Sequence, residues 1–247
     1  HTGAVAIAMP QDVQGEVYDF PADFLKKRVH RITRPTPVKE ELEDLADAIK
    51  SSKKPLLIVG GGVKYSEAGE AVAHFCKRHN IPFCETQAGK TAIKSSHPLN
   101  VGGLGVTGNS SANTLAKACD LIIAVGTRFT DFTTASKSLY SDKQVVTLNM
   151  SAFHASKLEA IKAVGDAKAG IIALDELLGD YKSGYTTQIA KAKADWEKEM
   201  DRLTHIEIDK NYKPEIDAHM PDVIDNFIKE HGEAMAQTTA IGVIRRC

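Results

Sequence analysis

The sequence has no excess of either charge: 31 lysines and arginines stand against 32 aspartates and glutamates over 247 residues, a net charge of −1. Without a basic block the chain offers no electrostatic footprint for nucleic acid or for an anionic membrane surface. It also lacks any apolar run of the ~18–20 residues that a bilayer-spanning helix needs. Four cysteines show no Cys-x-x-Cys spacing, and Cys76, Cys84 and Cys119 lie in apolar stretches. That placement predicts buried, reduced thiols rather than a disulfide framework or a zinc site. The nine histidines are scattered and form no His-Glu-x-x-His. His74 and His79, five apart, are not expected to share a helix face. No metal site is expected in this chain.

What is present is an ordinary globular composition, 43% hydrophobic, at a length that suits one large domain or two small ones. The apolar stretch Ala4 to Met9 predicts a strand within residues 1–13. Residues 14–36 carry Gly15, Pro21, Pro35 and many charges without periodicity, which is linker composition. Thr36-Pro37 reads as an N-cap with proline at the first helical position, ahead of Val38, Leu42, Leu45, Ala46 and Ile49 at helical spacing. Strands are predicted at Leu56–Val59, Ile81–Cys84, Leu121–Val125, Val145–Asn149 and Ala160–Val164. Helices are predicted to open at Ser66, Ser110 and Asp166, and a Gly-rich stretch runs from Gln87 to Gly108. Strands apolar on both faces that alternate with helices mean a parallel sheet covered on both sides. The fold class is α/β, a doubly wound parallel sheet of five to six strands over residues 37–182, followed by amphipathic helices around Ile189–Leu203 and Val223–Ile228.

In such sheets ligands bind beyond the carboxyl ends of the strands. Four of those ends carry small or polar residues: Gly60-Gly61-Gly62, Glu85 to Gly89, Gly126-Thr127-Arg128 and Asn149 to Ser151. A triple glycine at a helix start lets a phosphate approach the backbone, and Arg128 could neutralise it. The dinucleotide fingerprint is incomplete, because Tyr65 stands at its third glycine position. Nucleotide site and bare βα turn both remain open on spacing alone. Gly108-Asn-Ser110-Ser-Ala112 lacks the last glycine of a nucleophile elbow, and a helix N-cap is the better reading of Ser110. No catalytic residue is assigned.

Taken together, three runs carry a family resemblance: Leu56 to Gly62, Gly102-Gly-Leu-Gly-Val-Thr-Gly108, and Asp120 to Asp131, completed by Val164-Gly-Asp-Ala167. They resemble the middle domain of thiamine-diphosphate enzymes of the acetolactate synthase type. Pro10 to Glu16, Ser51 to Ser66 and Glu85 to Lys90 are more similar to the branch that hydrolyses a cyclic 1,2-dione in inositol breakdown. The resemblance implies residues 1–13 as the last strand of a pyrimidine-binding domain, 14–36 as a linker, 37–182 as the middle domain, 183–236 as a helical linker and 237–247 as the start of a pyrophosphate-binding domain. The missing Met at the start and the interrupted element at Ile241–Ile244 fit a piece of a longer, inactive-alone segment.

Also implied are thiamine diphosphate and magnesium in the whole protein, a homo-oligomer, a small-molecule substrate, neither nucleic acid nor membrane as partner, and a cytoplasmic location. The cofactor would act as electron sink for carbon–carbon cleavage. Its activating Glu and its Gly-Asp-Gly…Asn motif have no match in this chain. For the middle domain the resemblance implies ADP or FAD, or nothing, with Gly60, Gly61, Gly62, Thr127, Arg128 and Asp166 as the cofactor-binding positions. Asn149-Met-Ser151 departs from the pattern, which carries an acid there, and this weakens both nucleotides. An acetolactate-type carboligase and a free-standing adenine-nucleotide module are the competing expectations.

Overall fold

The computed structural model describes residues 4–31, 33–209, 211–214, 216 and 221–246. They fall into two units, divided between Thr33 and Arg34.

The first unit has no buried side chain among its described residues. It holds a single helical turn, α1 (Gln11–Gln14), and a 3-10 turn at Ala22–Leu25. Tyr18 meets Phe20 edge to face and Phe20 lies tilted against Phe24, with centroids 5.3 and 5.1 Å apart. The strand expected over residues 1–13 is not formed in its described part: Ala4–Met9 is irregular, and Val5 and Ile7 stand open to solvent. A lone apolar segment has no ladder in which to place its amides and carbonyls, so apolar character alone does not make it a strand. Residues 1–3 of that expectation lie outside the described residues.

The second unit is built on a six-stranded parallel sheet: β1 (Pro55–Val59), β2 (Phe83–Glu85), β3 (Asn100–Gly103), β4 (Leu121–Val125), β5 (Gln144–Asn149) and β6 (Ile161–Val164). Their order is β3-β2-β1-β4-β5-β6, the doubly wound arrangement in which direction reverses between β1 and β4. β1 and β4 are buried at every position, as strands covered on both faces must be.

One face is covered by α2 (Lys39–Ser51), α4 (Gly69–His79) and α8 (Ala167–Leu178), through Leu45, Ile49, Phe75, Ile171 and Leu174. The other is covered by α5 (Ser110–Ala118) and α9 (Gln188–Thr204), through Ala112, Leu115, Ile189 and Ala192. Short helices α3 (Gly61–Tyr65), α6 (Asp131–Thr134) and α7 (Ala152–Ala155) follow β1, β4 and β5. Beyond α9 lie α10 (Pro221–His231), α11 (Gln237–Arg246) and a two-residue antiparallel pair, β7 (Glu207–Ile208) with β8 (Ala234–Met235). Thr239 donates to the Ile206 carbonyl at 2.8 Å.

Several local expectations are corrected. Helix α2 starts at Lys39 rather than at Pro37. Pro37 is instead buried against Gly165, where a Cβ would come within 2.6 Å of the proline ring. Ser66 closes α3 instead of opening a helix, and its hydroxyl turns to Asp166. Asn109, one residue ahead of Ser110, caps α5 by accepting from the Ala112 amide at 3.0 Å. β3 stood inside the expected Gly-rich stretch. Asn-Val-Gly-Gly has little strand propensity of its own, and it pairs because β2 offers an edge. His74 and His79 converge after all. Both reach Asp175 of α8, with His79 Nε2 at 2.8 Å and His74 Nε2 at 3.8 Å. A carboxylate on the neighbouring helix can meet two residues that do not share one helix face.

Cys76, Cys84 and Cys119 are free and buried. Burial pushes all three thiols up, Cys119 to about 12, so they are inert at neutral pH.

Candidate functional site

All the strand ends singled out above line one edge of the sheet, because the strands are parallel. They do not form one site. At the centre, where the order reverses, the β1 and β4 turns press directly on each other. The Gly60 amide donates to the Val125 carbonyl at 2.8 Å, and the Gly62 amide to the Gly126 carbonyl at 2.9 Å. A Cβ on Gly62 would sit 2.7 Å from Gly126 Cα, one on Gly60 would collide with the Gly126 carbonyl, and one on Gly61 would meet Ala88 Cβ at 3.0 Å. Gly126 itself has φ +63, a conformation that glycine adopts freely. The space left by the missing side chains is therefore filled by backbone at Gly60 and Gly62 and by Ala88 at Gly61.

Thr127 is buried beside this crossing, and its carbonyl accepts from Asn149 Nδ2 at 2.7 Å. Asn149 Oδ1 accepts from the Ser151 amide at 3.0 Å, so both ends of the amide hold the turn after β5. Arg128 is exposed, and its carbonyl accepts from Lys157 Nζ at 2.8 Å. Burial, followed by the charges of Lys157 and Arg128, lowers the His154 imidazole from its usual range. This end of β4 and β5 is cationic.

Asp166 begins α8, where the sequence placed it. It accepts from the Lys168 and Ala169 amides at 3.1 Å each, as an N-cap does. Its second oxygen accepts from Ser66 Oγ at 2.9 Å and lies 3.6 Å from Arg34 Nη1. The carboxylate is thus committed to protein partners.

A cavity of about 270 Å³ opens at the ends of β2 and β3, lined by Glu85, Gln87, Lys90, Thr107, Asn109 and Trp196 among others. Glu85 is only 5% exposed, and its Oε1 has no hydrogen-bond partner among the described residues. Burial raises its carboxyl above the ordinary glutamate range, against the lowering influence of Asn100, Lys90 and the Thr91 amide. Gln87 Nε2 donates to Thr107 Oγ1 at 2.6 Å across the mouth. Glu85 was visible in the sequence as a polar residue at a strand end. Trp196 was read only as one apolar position of a helix stripe, since nothing in its spacing tells core from cavity.

Known proteins bear directly on this arrangement. The family profile described as thiamine pyrophosphate enzyme, central domain, matches residues 42–176. The chain belongs to this family. Its sheet and helices resemble those of a putative thiamin diphosphate-dependent enzyme from Mycobacterium smegmatis, with TM-score 0.52 and 19% identity over 64% of this chain and 31% of that one. They also resemble benzoylformate decarboxylase from Polynucleobacter necessarius, with TM-score 0.51 and 23% identity over 68% of this chain and 33% of that one. At these identities the likeness shows the α/β fold alone. Curated relatives are much nearer in sequence. The 3D-(3,5/4)-trihydroxycyclohexane-1,2-dione hydrolases of Geobacillus thermodenitrificans and Clostridium perfringens are 55% and 56% identical, over 98% and 99% of this chain. The chain spans 38% and 39% of their lengths.

Among the described residues no three of His, Cys, Asp and Glu lie together as a metal cluster.

Proposed function

We propose that this chain is the middle domain of a thiamine-diphosphate-dependent hydrolase that opens the ring of a trihydroxycyclohexane-1,2-dione in inositol breakdown. The observation that carries the reading is identity above half over nearly the whole chain with hydrolases of that name. In this reading thiamine diphosphate and magnesium are held by parts of the protein outside residues 4–246, which lie on either side of this domain. The protein is a cytoplasmic homo-oligomer acting on a small molecule. The middle domain contributes scaffold: Gly60, Gly61, Gly62 and Thr127 pack at the crossing of β1 and β4, Asp166 caps α8, and Arg128 lies exposed at the rim.

The test is turnover by a protein that contains this segment with its flanking sequence. Consumption of the cyclic dione, dependent on added thiamine diphosphate and magnesium, is the expected result. Condensation of pyruvate without consumption of the dione would instead identify an acetolactate-type carboligase.

A second reading, an adenine-nucleotide module, is favoured by the cationic edge formed by Arg128 and Lys157. A diphosphate suits such an edge. Against it stand the filled glycine crossing and Asn149 in place of an acid. A lost charge-assisted hydrogen bond costs about 1.5–3 kcal/mol, roughly 10- to 150-fold in affinity. Thermal-shift measurements with ADP and FAD separate the two: a large shift with either restores the nucleotide site.

A further inference from the structure

We propose that His79 is a proton-operated latch. With both ring nitrogens protonated it pins a strap, residues 179–185 between α8 and α9, to the end of α4. On losing one proton it lets the strap go. The inference rests on hydrogen-bond geometry and not on the hydrolase reading.

The ring is fully buried, and both of its nitrogens face acceptors. Nδ1 lies 2.8 Å from the Tyr181 carbonyl and Nε2 lies 2.8 Å from Asp175 Oδ1. A carbonyl and a carboxylate can only accept. Arg78 Nη1 donates to the other Asp175 oxygen at 2.9 Å, the pairing of a guanidinium with a carboxylate. Neutral imidazole has one N–H and cannot serve both partners, whereas the imidazolium serves both. His79 is also the last residue of α4, where the free carbonyls of a helix favour a cation.

What the ring holds is equally specific. Three consecutive side chains reach three carbonyls of the strap. Arg78 Nη2 donates to Gly179 at 3.2 Å, His79 reaches Tyr181, and Asn80 Nδ2 donates to Tyr185 at 2.9 Å. Of these residue types only histidine gives up a proton near neutral pH. The Ser183 amide returns a bond to the His79 carbonyl at 2.9 Å. Because α8 and α9 cover opposite faces of the sheet, the strap is the crossing that sets where α9 begins.

The charges around the ring are few. Asp175 is shared with Arg78 and with exposed His74, whose Nε2 is 3.8 Å from Oδ2. Phe75 and Tyr181 pack on the ring, with centroids 4.9 and 6.2 Å away, and Asp120 acts on the Tyr181 hydroxyl. Lys77, Glu176, Asp180 and Lys182 are exposed. When one proton leaves for solvent, the other stays on Nε2, because a bond to a carboxylate is the stronger. The Tyr181 carbonyl then meets a lone pair. The closed strap therefore binds the proton, and the latch opens as pH rises.

The test uses the 247-residue chain with nitrogen-15 in its histidines. Two-bond proton–nitrogen spectra count the ring protons, and contacts with Phe75 assign His79. The expected ring carries two protons at about pH 5 and only the Nε2 proton at about pH 9. Over that range the exchange protection factors of the Ser183 and Gly184 amides should fall ~2- to 10-fold, as loss of one hydrogen bond does. Those of Leu57 and Ile123 in the sheet should hold. His79→Gln, which donates without titrating, should make strap protection independent of pH, and His74→Gln should leave the wild-type response intact. If His79→Gln does not fold, the wild-type spectra and exchange decide alone.

A ring with one proton throughout, or with both throughout, would overturn the proposal. So would strap protection that does not follow the ring, an equal fall at Leu57 and Ile123, a response that survives in folded His79→Gln, or one lost in His74→Gln.

Discussion

Ser66 and Asp166, one hundred positions apart, share a hydrogen bond of 2.9 Å, and the serine oxygen in turn accepts from the Lys168 amide at 3.2 Å. The pair ties the turn after α3 to the first turn of α8, joining the β1 and β6 sides of one face. Removing Asp166 strips two amides of their cap and Ser66 of its acceptor. Asp166→Ala should therefore cost about 1–2 kcal/mol, a fall of ~2–8 °C in Tm for a domain of this size. Ser66→Ala should cost less. The double variant should be less damaging than the sum, because the two single changes break the same bond. Urea denaturation of the four proteins measures the coupling; strict additivity would show that the bond contributes nothing.

The glycine crossing makes a sharper claim. Gly62→Ala would place a methyl 2.7 Å from Gly126 Cα, against backbone that cannot turn aside. A loss of ~2 kcal/mol or more is expected, within the range of overpacking. Gly103→Ala is the control, because its nearest neighbour would lie 3.8 Å away; it should change stability by no more than about 0.5 kcal/mol. Equal effects at the two positions would contradict the packing account of Gly60–Gly62.

Glu85 gives a pH dependence with a definite sign. Its folded carboxyl binds a proton more tightly than an unfolded glutamate does. Stability therefore falls as pH rises from the ordinary glutamate value of 4.5 through the raised folded value. Glu85→Gln should remove that fall and be the more stable protein at neutral pH. Denaturant midpoints from pH 4 to 8 would show it; parallel curves for the two proteins would not be compatible with a raised carboxyl.

Asp120 has the opposite sign. Burial alone would raise its carboxyl, but the Ser52 hydroxyl and the amides of Lys53 and Lys54 hold it below the usual aspartate range. Its contribution is present above 3.8 and is lost as pH falls through the folded value. Asp120→Asn should flatten the acid side of the stability curve and lower Tm by a few degrees near neutrality, a small effect because the group is largely exposed. Acid titration followed by circular dichroism is the measurement.

The sheet was legible because its strands are short, continuous apolar runs between helical patterns. Leu56–Val59 and Leu121–Val125 could hardly be anything but buried strands. β3 was not legible, because Asn100–Gly103 becomes a strand only through its neighbour. The segment from Ala4 to Met9 failed for the converse reason, since its apolar run has no strand partner among the described residues. Asp166 was readable as a cap because capping is local. Its bond to Ser66 was not, because it depends on how β1 and β6 lie across the sheet. The glycines marked the right edge of the sheet, but their close contact with the turn after β4 was not legible. A ligand and a second backbone ask the same thing of a sequence, namely the absence of a side chain. The cavity under Trp196 was invisible for a related reason: Glu85 and Trp196 lie on elements that only the three-dimensional winding brings to one wall.

The contact of Gly60 and Gly62 with Gly126 also divides the labour of evolution within the domain. Residues 55–103 build one half of the sheet and residues 121–164 the other, and at the carboxyl edge the two halves meet backbone to backbone. A seam made of peptide groups carries no side-chain code, so changes in the loops of one half need no compensating change in the other. Each half can acquire its own surface chemistry, a cationic rim beyond β4 and β5 and a carboxyl-lined cavity beyond β2 and β3, while three glycines keep the halves in register. The same seam is a single point of failure: a methyl group there is felt by both halves at once.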